Sequence, residues 1–139
     1  MKSKKRVSKM IILMMVLAIG YTIPVLASNY TDTSFTFYFR SFSDGRSYTE
    51  LREKQDDTSV YMKCNSTSYG YTAHVVGAKD IFGTLYDASG GHYYTFHTGT
   101  VQKMINYVYE NGLSYAGIVA YRNYETDFTA TGLWSPDSI

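Results

Sequence analysis

Cysteine, proline and tryptophan are almost missing from this chain of 139 residues: Cys64 is the single cysteine, Pro24 and Pro136 the only prolines, Trp134 the only tryptophan. One cysteine cannot close an intramolecular disulfide, so the covalent staples on which most small extracellular domains depend are excluded. No Gly-rich phosphate loop, Gly-x-Ser-x-Gly elbow or His-Glu-x-x-His stretch occurs, which removes the common signatures of nucleotide, acyl-transfer and metalloprotease chemistry. Beyond residue 27 no apolar stretch has helical spacing, and there is no internal repeat or low-complexity tract.

The first 27 residues differ from the rest of the chain. Lys2, Lys4, Lys5, Arg6 and Lys9 form a basic head, Met10 to Ile19 is an uninterrupted apolar run, and Val25-Leu26-Ala27 provides the small residues of a cleavage site. This is the pattern of a secretory signal peptide cut between Ala27 and Ser28. Ten residues fall short of the roughly 20 that span a bilayer, and Gly20 and Pro24 break any continuation of the run, so the membrane is expected as a partner only through this transient leader. Cys64 is too far from the cleavage point to be a lipoprotein cysteine. Export without disulfides fits a Gram-positive style of secretion, and the expected location is extracellular.

The leader takes with it five of the thirteen Lys and Arg and none of the twelve Asp and Glu, leaving eight bases against twelve acids, a net charge of −4. A chain of that sign lacks the basic surface needed to displace counterions from nucleic acid, so nucleic-acid partners are not expected. The 112 residues from Ser28 to Ile139 suffice for one domain with a modest core. Of the fifteen tyrosines only Tyr21 precedes Ser28, so fourteen remain with seven phenylalanines, a composition that favours pleated, half-buried surfaces.

Alternation places the strands. Ser34 to Phe42 sets Phe35, Phe37 and Phe39 against Thr36, Tyr38 and Arg40, and stops at the turn Ser43-Asp44-Gly45. The charged stretch from Arg46 to Asp57 reads as an exposed connection with a short edge strand near Ser47 to Arg52. Ser59 to Asn65 and Tyr71 to Ala78 are strands joined by a hairpin loop at Ser66 to Gly70. Ile81 to Tyr86 is a short strand ending at Asp87-Ala88-Ser89-Gly90-Gly91, and Tyr93 to Thr98 is the next. Val101 to Glu110 alternates throughout, and Glu110-Asn111-Gly112-Leu113 predicts a type I′ turn with a returning strand from Ser114 to Tyr121. Phe128 to Trp134 is the last strand. Seven or eight short antiparallel strands bury themselves best as a β-sandwich, with a small barrel as second choice.

Cys64 with His74 is the one nucleophilic pair the spacing allows, provided that their strands are neighbours. Cys64 shares its face with Val60 and Met62, however, which is the setting of a small core residue. His92 and His97, with an acid such as Asp87, are the only metal-ligand grouping, but residues five apart on a strand point to opposite faces. No cofactor, metal or catalytic residue is therefore expected. Fourteen tyrosines exceed what so small a core can hold, and an exposed tyrosine face suits stacking on sugar rings or contact with a protein. Tyr107, Tyr109, Tyr121, Tyr124 and Trp134 are the candidate contact residues.

The segments Asn106-Tyr107-Val108-Tyr109-Glu110-Asn111-Gly112, Ala120-Tyr121-Arg122-Asn123-Tyr124 and Gly132-Leu133-Trp134-Ser135-Pro136-Asp137-Ser138, with Thr58 to Cys64 upstream, resemble an uncharacterised family of small exported Gram-positive proteins. That resemblance brings no catalytic residues. More loosely, a leader, a tyrosine-rich β domain and a tryptophan near the C-terminus resemble the lactococcin-type bacteriocins, which implies a β-sandwich acting at the cell envelope without forming pores. The expected role is thus that of a secreted, non-catalytic binding or antagonist protein whose partner is an envelope component or an extracellular protein. A wall-carbohydrate module and a small hydrolase are the alternatives.

Overall fold

The computed structural model describes residues 29–139. The leader and its cleavage point at Ala27–Ser28 lie outside the described residues. Ten strands occur in the order β1 Thr33–Phe39, β2 Arg46–Tyr48, β3 Arg52–Glu53, β4 Val60–Thr67, β5 Tyr71–Ala78, β6 Tyr86–Asp87, β7 Tyr94–Phe96, β8 Val101–Met104, β9 Tyr115–Arg122 and β10 Phe128–Ser135. They form two antiparallel sheets. The four-stranded sheet has the order β1-β10-β4-β8; the six-stranded sheet runs β2-β9-β5-β6, with β3 also on β9 and β7 also on β5. This is an all-β sandwich, and the sheets do not close into a barrel.

The alternation in β1 survives intact: Phe35, Phe37 and Phe39 are buried while Thr36 and Tyr38 are exposed. Their rings join Tyr71 of β5, Phe96 of β7 and Phe128 of β10 in one aromatic cluster, with Phe39 4.6 Å from Phe128 and 5.4 Å from Tyr71 between centroids. Such pairs add about 0.5–1.5 kcal/mol each beyond the area they bury. The core is thus closed by aromatic contacts from both sheets.

Connectivity departs from the sequence expectation at two turns. Ser66 to Gly70 does not make a hairpin, because β4 belongs to the four-stranded sheet and β5 to the six-stranded one; the short link crosses the sandwich. Nor does Asn111-Gly112. No described non-glycine residue has positive φ, so Asn111 cannot open a type I′ turn. Instead Tyr107 to Leu113 makes a single helical turn, in which the Gly112 amide donates to Tyr109 (3.1 Å) and the Leu113 amide to Val108 (3.0 Å), with Gly112 at φ 69°. These are the two hydrogen bonds of a Schellman ending, and its accompanying apolar contact is supplied by Val108 and Leu113, both in the core. The turn carries the chain from β8 in one sheet to β9 in the other.

The alternation from Val101 to Glu110 misled for a definable reason. Met104, Asn106 and Val108 are indeed buried in period two, but pairing ends at Met104, opposite Val60, the first residue of β4. Beyond it the Asn106 side chain replaces the ladder, donating to Thr58 and Met104 carbonyls and accepting from the Val108 amide. Ile81 to Tyr86 is likewise a turn that leads into only the two residues of β6. The expected single edge strand near Ser47 to Arg52 is split into β2 and β3, both paired with β9.

Candidate binding site on the outer face of the six-stranded sheet

Strand register alone builds this face. Tyr48 of β2, Val119 of β9 and His74 of β5 stand in one row across three strands; Arg46, Tyr121 and Thr72 stand in the next, and Gly117, Val76 and Asp87 in the row on the other side. Inward-facing neighbours in the same strands, Ala73, Val75, Ala116, Ile118 and Ala120, belong to the core, so the rows named point away from it.

Tyr93 reaches the same face from the chain just before β7. The preceding turn is shaped by Gly90 and Gly91, at φ 58° and 83°, a conformation that residues with a Cβ rarely adopt. Asp87 opens this turn: its Oδ1 accepts from the Ser89 amide (2.9 Å) and hydroxyl (2.6 Å), and its Oδ2 accepts from the Tyr93 hydroxyl at 3.0 Å. The sequence Asp87-Ala88-Ser89-Gly90-Gly91 therefore folds Tyr93 back beside His74.

His74 is the centre of the arrangement. Its ring lies edge-on to Tyr93 at 4.4 Å and stacks on Tyr121 at 5.5 Å with an 11° interplanar angle. Only 4% of the residue is exposed, its Nε2 is 3.9 Å from Asp87 Oδ2, and its Nδ1 has no hydrogen-bond partner among the described residues. Burial lowers the imidazole pKa below its usual value; Asp87 pulls it back up and Arg46 adds to the lowering. For Asp87 burial acts upward, but the hydrogen bonds from Ser89 and Tyr93, with His74 nearby, bring its pKa below the ordinary carboxylate value. The Tyr93 hydroxyl is raised, chiefly by donating to Asp87. Near neutrality the site therefore presents a neutral imidazole and an ionised carboxylate.

Around His74 the side chains of Arg46, Tyr48, Leu85, Asp87, Tyr93 and Tyr121 rim a groove of about 220 Å³, floored by Val76 and Val119. The Arg46 guanidinium lies 5.3 Å from the Tyr121 ring centroid, within cation–π range. Tyr48 and Tyr93 are 47% and 53% exposed. The arrangement offers aromatic rings, one donor-rich cation and one acceptor-rich anion within a small radius.

Of the five candidate residues, only Tyr121 belongs to this groove. Tyr107 and Tyr109 are exposed on the helical turn between β8 and β9. Tyr124 is on the β9–β10 loop against Tyr69, at 5.5 Å. Trp134 is a core residue, 2% exposed, with Arg52 5.4 Å from its ring centroid, and lies outside this groove. The structure does not unite Cys64 with His74 either. Cys64 faces inward from the other sheet toward the Tyr71 hydroxyl, and burial raises its thiol pKa. His92 and His97 are both exposed, and no three His, Cys, Asp or Glu among the described residues are grouped to hold a metal ion. Arg46, Tyr48, Asp87 and Tyr93 were not readable as contact residues, because only the pairing of β2, β6 and β7 brings them to His74.

The model of a protein family of unknown function, DUF2712, matches residues 23–138, which takes in nearly all of the described domain. The chain belongs to the DUF2712 family. No curated protein and no solved structure matches it.

In this DUF2712 member the stretch Gly132 to Asp137 is structural. A Cβ on Gly132 would come within 2.0 Å of the Lys63 carbonyl oxygen and 2.6 Å of the Phe35 ring, so only glycine fits where β10 crosses between β1 and β4. Trp134 plugs the core. Asp137 is fully buried and accepts from Lys54 Nζ at 2.6 Å, from the Asn29 amide at 2.8 Å and from the Gln55 amide at 3.1 Å.

Proposed function

We propose that this protein is an exported, non-catalytic binding domain that contacts a cell-envelope component or an extracellular protein through the outer face of its six-stranded sheet. The observation that carries this reading is the groove at His74: three tyrosines around a buried imidazole with an unpartnered nitrogen, beside a half-exposed carboxylate. The Nδ1 atom is closed off from solvent, so the groups a ligand can reach here are the tyrosine rings and the half-exposed Asp87 carboxylate. Tyrosine rings contribute contact area at small entropic cost, which suits binding.

Turnover has less in its favour. The single thiol is buried in the core with a raised pKa, away from His74, and a nucleophile needs a nearby base and a lowered pKa. Export rests on the basic head, the apolar run and the small residues before Ser28. Within this reading, antagonism of related Gram-positive bacteria in the manner of a bacteriocin is one role, and attachment to the producer's own wall is the other.

The test uses the full chain expressed in a Gram-positive host. Protein recovered from the medium should begin at Ser28, cosediment with cell walls or bind intact cells, and lose that binding when Tyr48 and Tyr121 are both replaced by alanine. Binding unchanged in the double variant would defeat the reading. Growth inhibition of related strains, assayed in parallel, separates antagonism from wall attachment.

A further inference from the structure

We propose that the groove over His74 holds one neutral sugar ring of a glycan chain. This rests on the binding reading above and names its ligand class. The first argument is charge. One guanidinium, Arg46, and one carboxylate, Asp87, line the groove, and Arg46 also lies 3.7 Å from Asp44, so a fixed anion is not favoured there, whereas a ligand whose groups both donate and accept can meet both lining charges. A sugar hydroxyl does this from a single atom.

The second argument is the alternation of apolar and polar surface. Val76 and Val119 line the floor and Leu85 one wall, while Tyr48, Tyr93 and Tyr121 present rings with hydroxyls at their tips. A pyranose ring has the matching form, with C–H faces that pack on aromatic and aliphatic surface and hydroxyls directed outward around its rim. Asp87 keeps a carboxylate 52% exposed, so the protein leaves an acceptor oxygen at the groove for those hydroxyls. The third argument is size. At about 220 Å³ the groove is smaller than the roughly 300–1,000 Å³ of pockets that engulf a small-molecule ligand, and it is open to solvent along the sheet face, as a site for one ring within a longer polymer must be.

The experiment is a titration of the isotopically labelled exported protein, followed by amide NMR, with the tetrasaccharides of N-acetylglucosamine, glucose and mannose in turn. At least one should give saturable shifts, with a roughly millimolar Kd appropriate to one ring, centred on Val76, Asp87, Tyr93, Val119 and Tyr121. Tyr121→Ala should weaken binding about tenfold, Tyr121→Phe should retain it, and Val101→Thr on the other sheet should leave it unchanged. Emission from buried Trp134 reports whether each variant is folded. Shifts centred elsewhere, or none with any of the three sugars, would overturn the sugar assignment. Cell binding then distinguishes the two failures: if Tyr121→Ala still loses it, the face contacts another kind of partner and the broader reading stands, and if Tyr121→Ala binds cells normally, both readings fall.

Discussion

Among the ion pairs of the described residues, Lys54–Asp137 and His74–Asp87 are finished to different degrees. Lys54 Nζ is 2.6 Å from Asp137 Oδ1 and 2.6 Å from the Thr58 carbonyl oxygen, both side chains of the pair are fully buried, and Asp137 Oδ2 takes two backbone amides. His74 Nε2 stops 3.9 Å from Asp87 Oδ2, Nδ1 is unpartnered among the described residues, and the carboxylate is half exposed. A saturated polar network in a low-dielectric interior holds one geometry rigidly. Here it ties the start of the described chain, Asn29, and the segment after β3 to the residues beyond β10. The open pair holds nothing together so firmly, which leaves the exposed carboxylate of Asp87 available to a ligand.

The comparison breaks most readily at Asp137. Asp137→Ala leaves the buried Lys54 ammonium with only the more distant Asp56 carboxylate, at 3.6 Å, and should cost about 3 kcal/mol, read by chemical denaturation, whereas Asp87→Asn at the exposed pair should cost about 1 kcal/mol or less. Equal losses would erase the distinction between lock and groove. Replacing both partners, Lys54→Met with Asp137→Leu, should recover much of the single-variant loss, because the two fully buried charges go together and Asp56, also 3.6 Å from Lys54 Nζ, is part-exposed to water.

Next in size is Gly132→Ala. With a backbone oxygen in the way of the new Cβ, β10 must shift between its neighbours, at about 1–3 kcal/mol. Gly112→Ala meets nothing within 4 Å and should cost only about 1 kcal/mol, from its φ of 69°. Thermal melts of the two variants rank them.

The smallest effect is on pH dependence. The charged groups facing His74 are Asp87 of β6 and Arg46 of β2, with Tyr93 and Tyr121 as phenols. Its folded pKa lies below 6.5, so on acidification the unfolded chain takes up the proton first. The stabilising contribution is complete above 6.5 and is lost as pH falls through the lowered folded value. Asp87 adds a similar loss only below 3.8. Melting temperature between pH 7.5 and 5 should therefore fall further for the wild type than for His74→Gln, by no more than one proton's uptake allows. Parallel curves would show that His74 is not held neutral by the fold.

Much of the fold was legible from local pattern. Phe35, Phe37 and Phe39 announced a half-buried strand, Ser43-Asp44-Gly45 a turn, and Val60, Met62 and Cys64 a core face, because period two is a property of any extended chain over a buried surface. The site was legible only in part. His74 and Tyr121 were singled out from the sequence, yet for different reasons and without a reason to join them. Tyr107, Tyr109 and Tyr124 carry the same side chain as Tyr121 and differ from it only in where the strands leave them. The segment Gly132 to Asp137, distinctive as a motif, turned out to serve packing and a buried ion pair.

What the sequence by itself determined was the kind of surface each segment makes: aromatic and β-branched alternation, few helix formers, and small polar residues at the breaks. Those preferences are local and are expressed whichever strand lies alongside. Tertiary structure alone decided which sheet each strand joins. The Ser68–Gly70 link and the Gly112 turn both send the chain across the sandwich instead of back along its neighbour. A strand's partner is chosen by hydrogen bonds and core contacts with residues distant in the chain, and this choice, absent from any local window, sets Arg46, His74, Asp87, Tyr93 and Tyr121 around one groove.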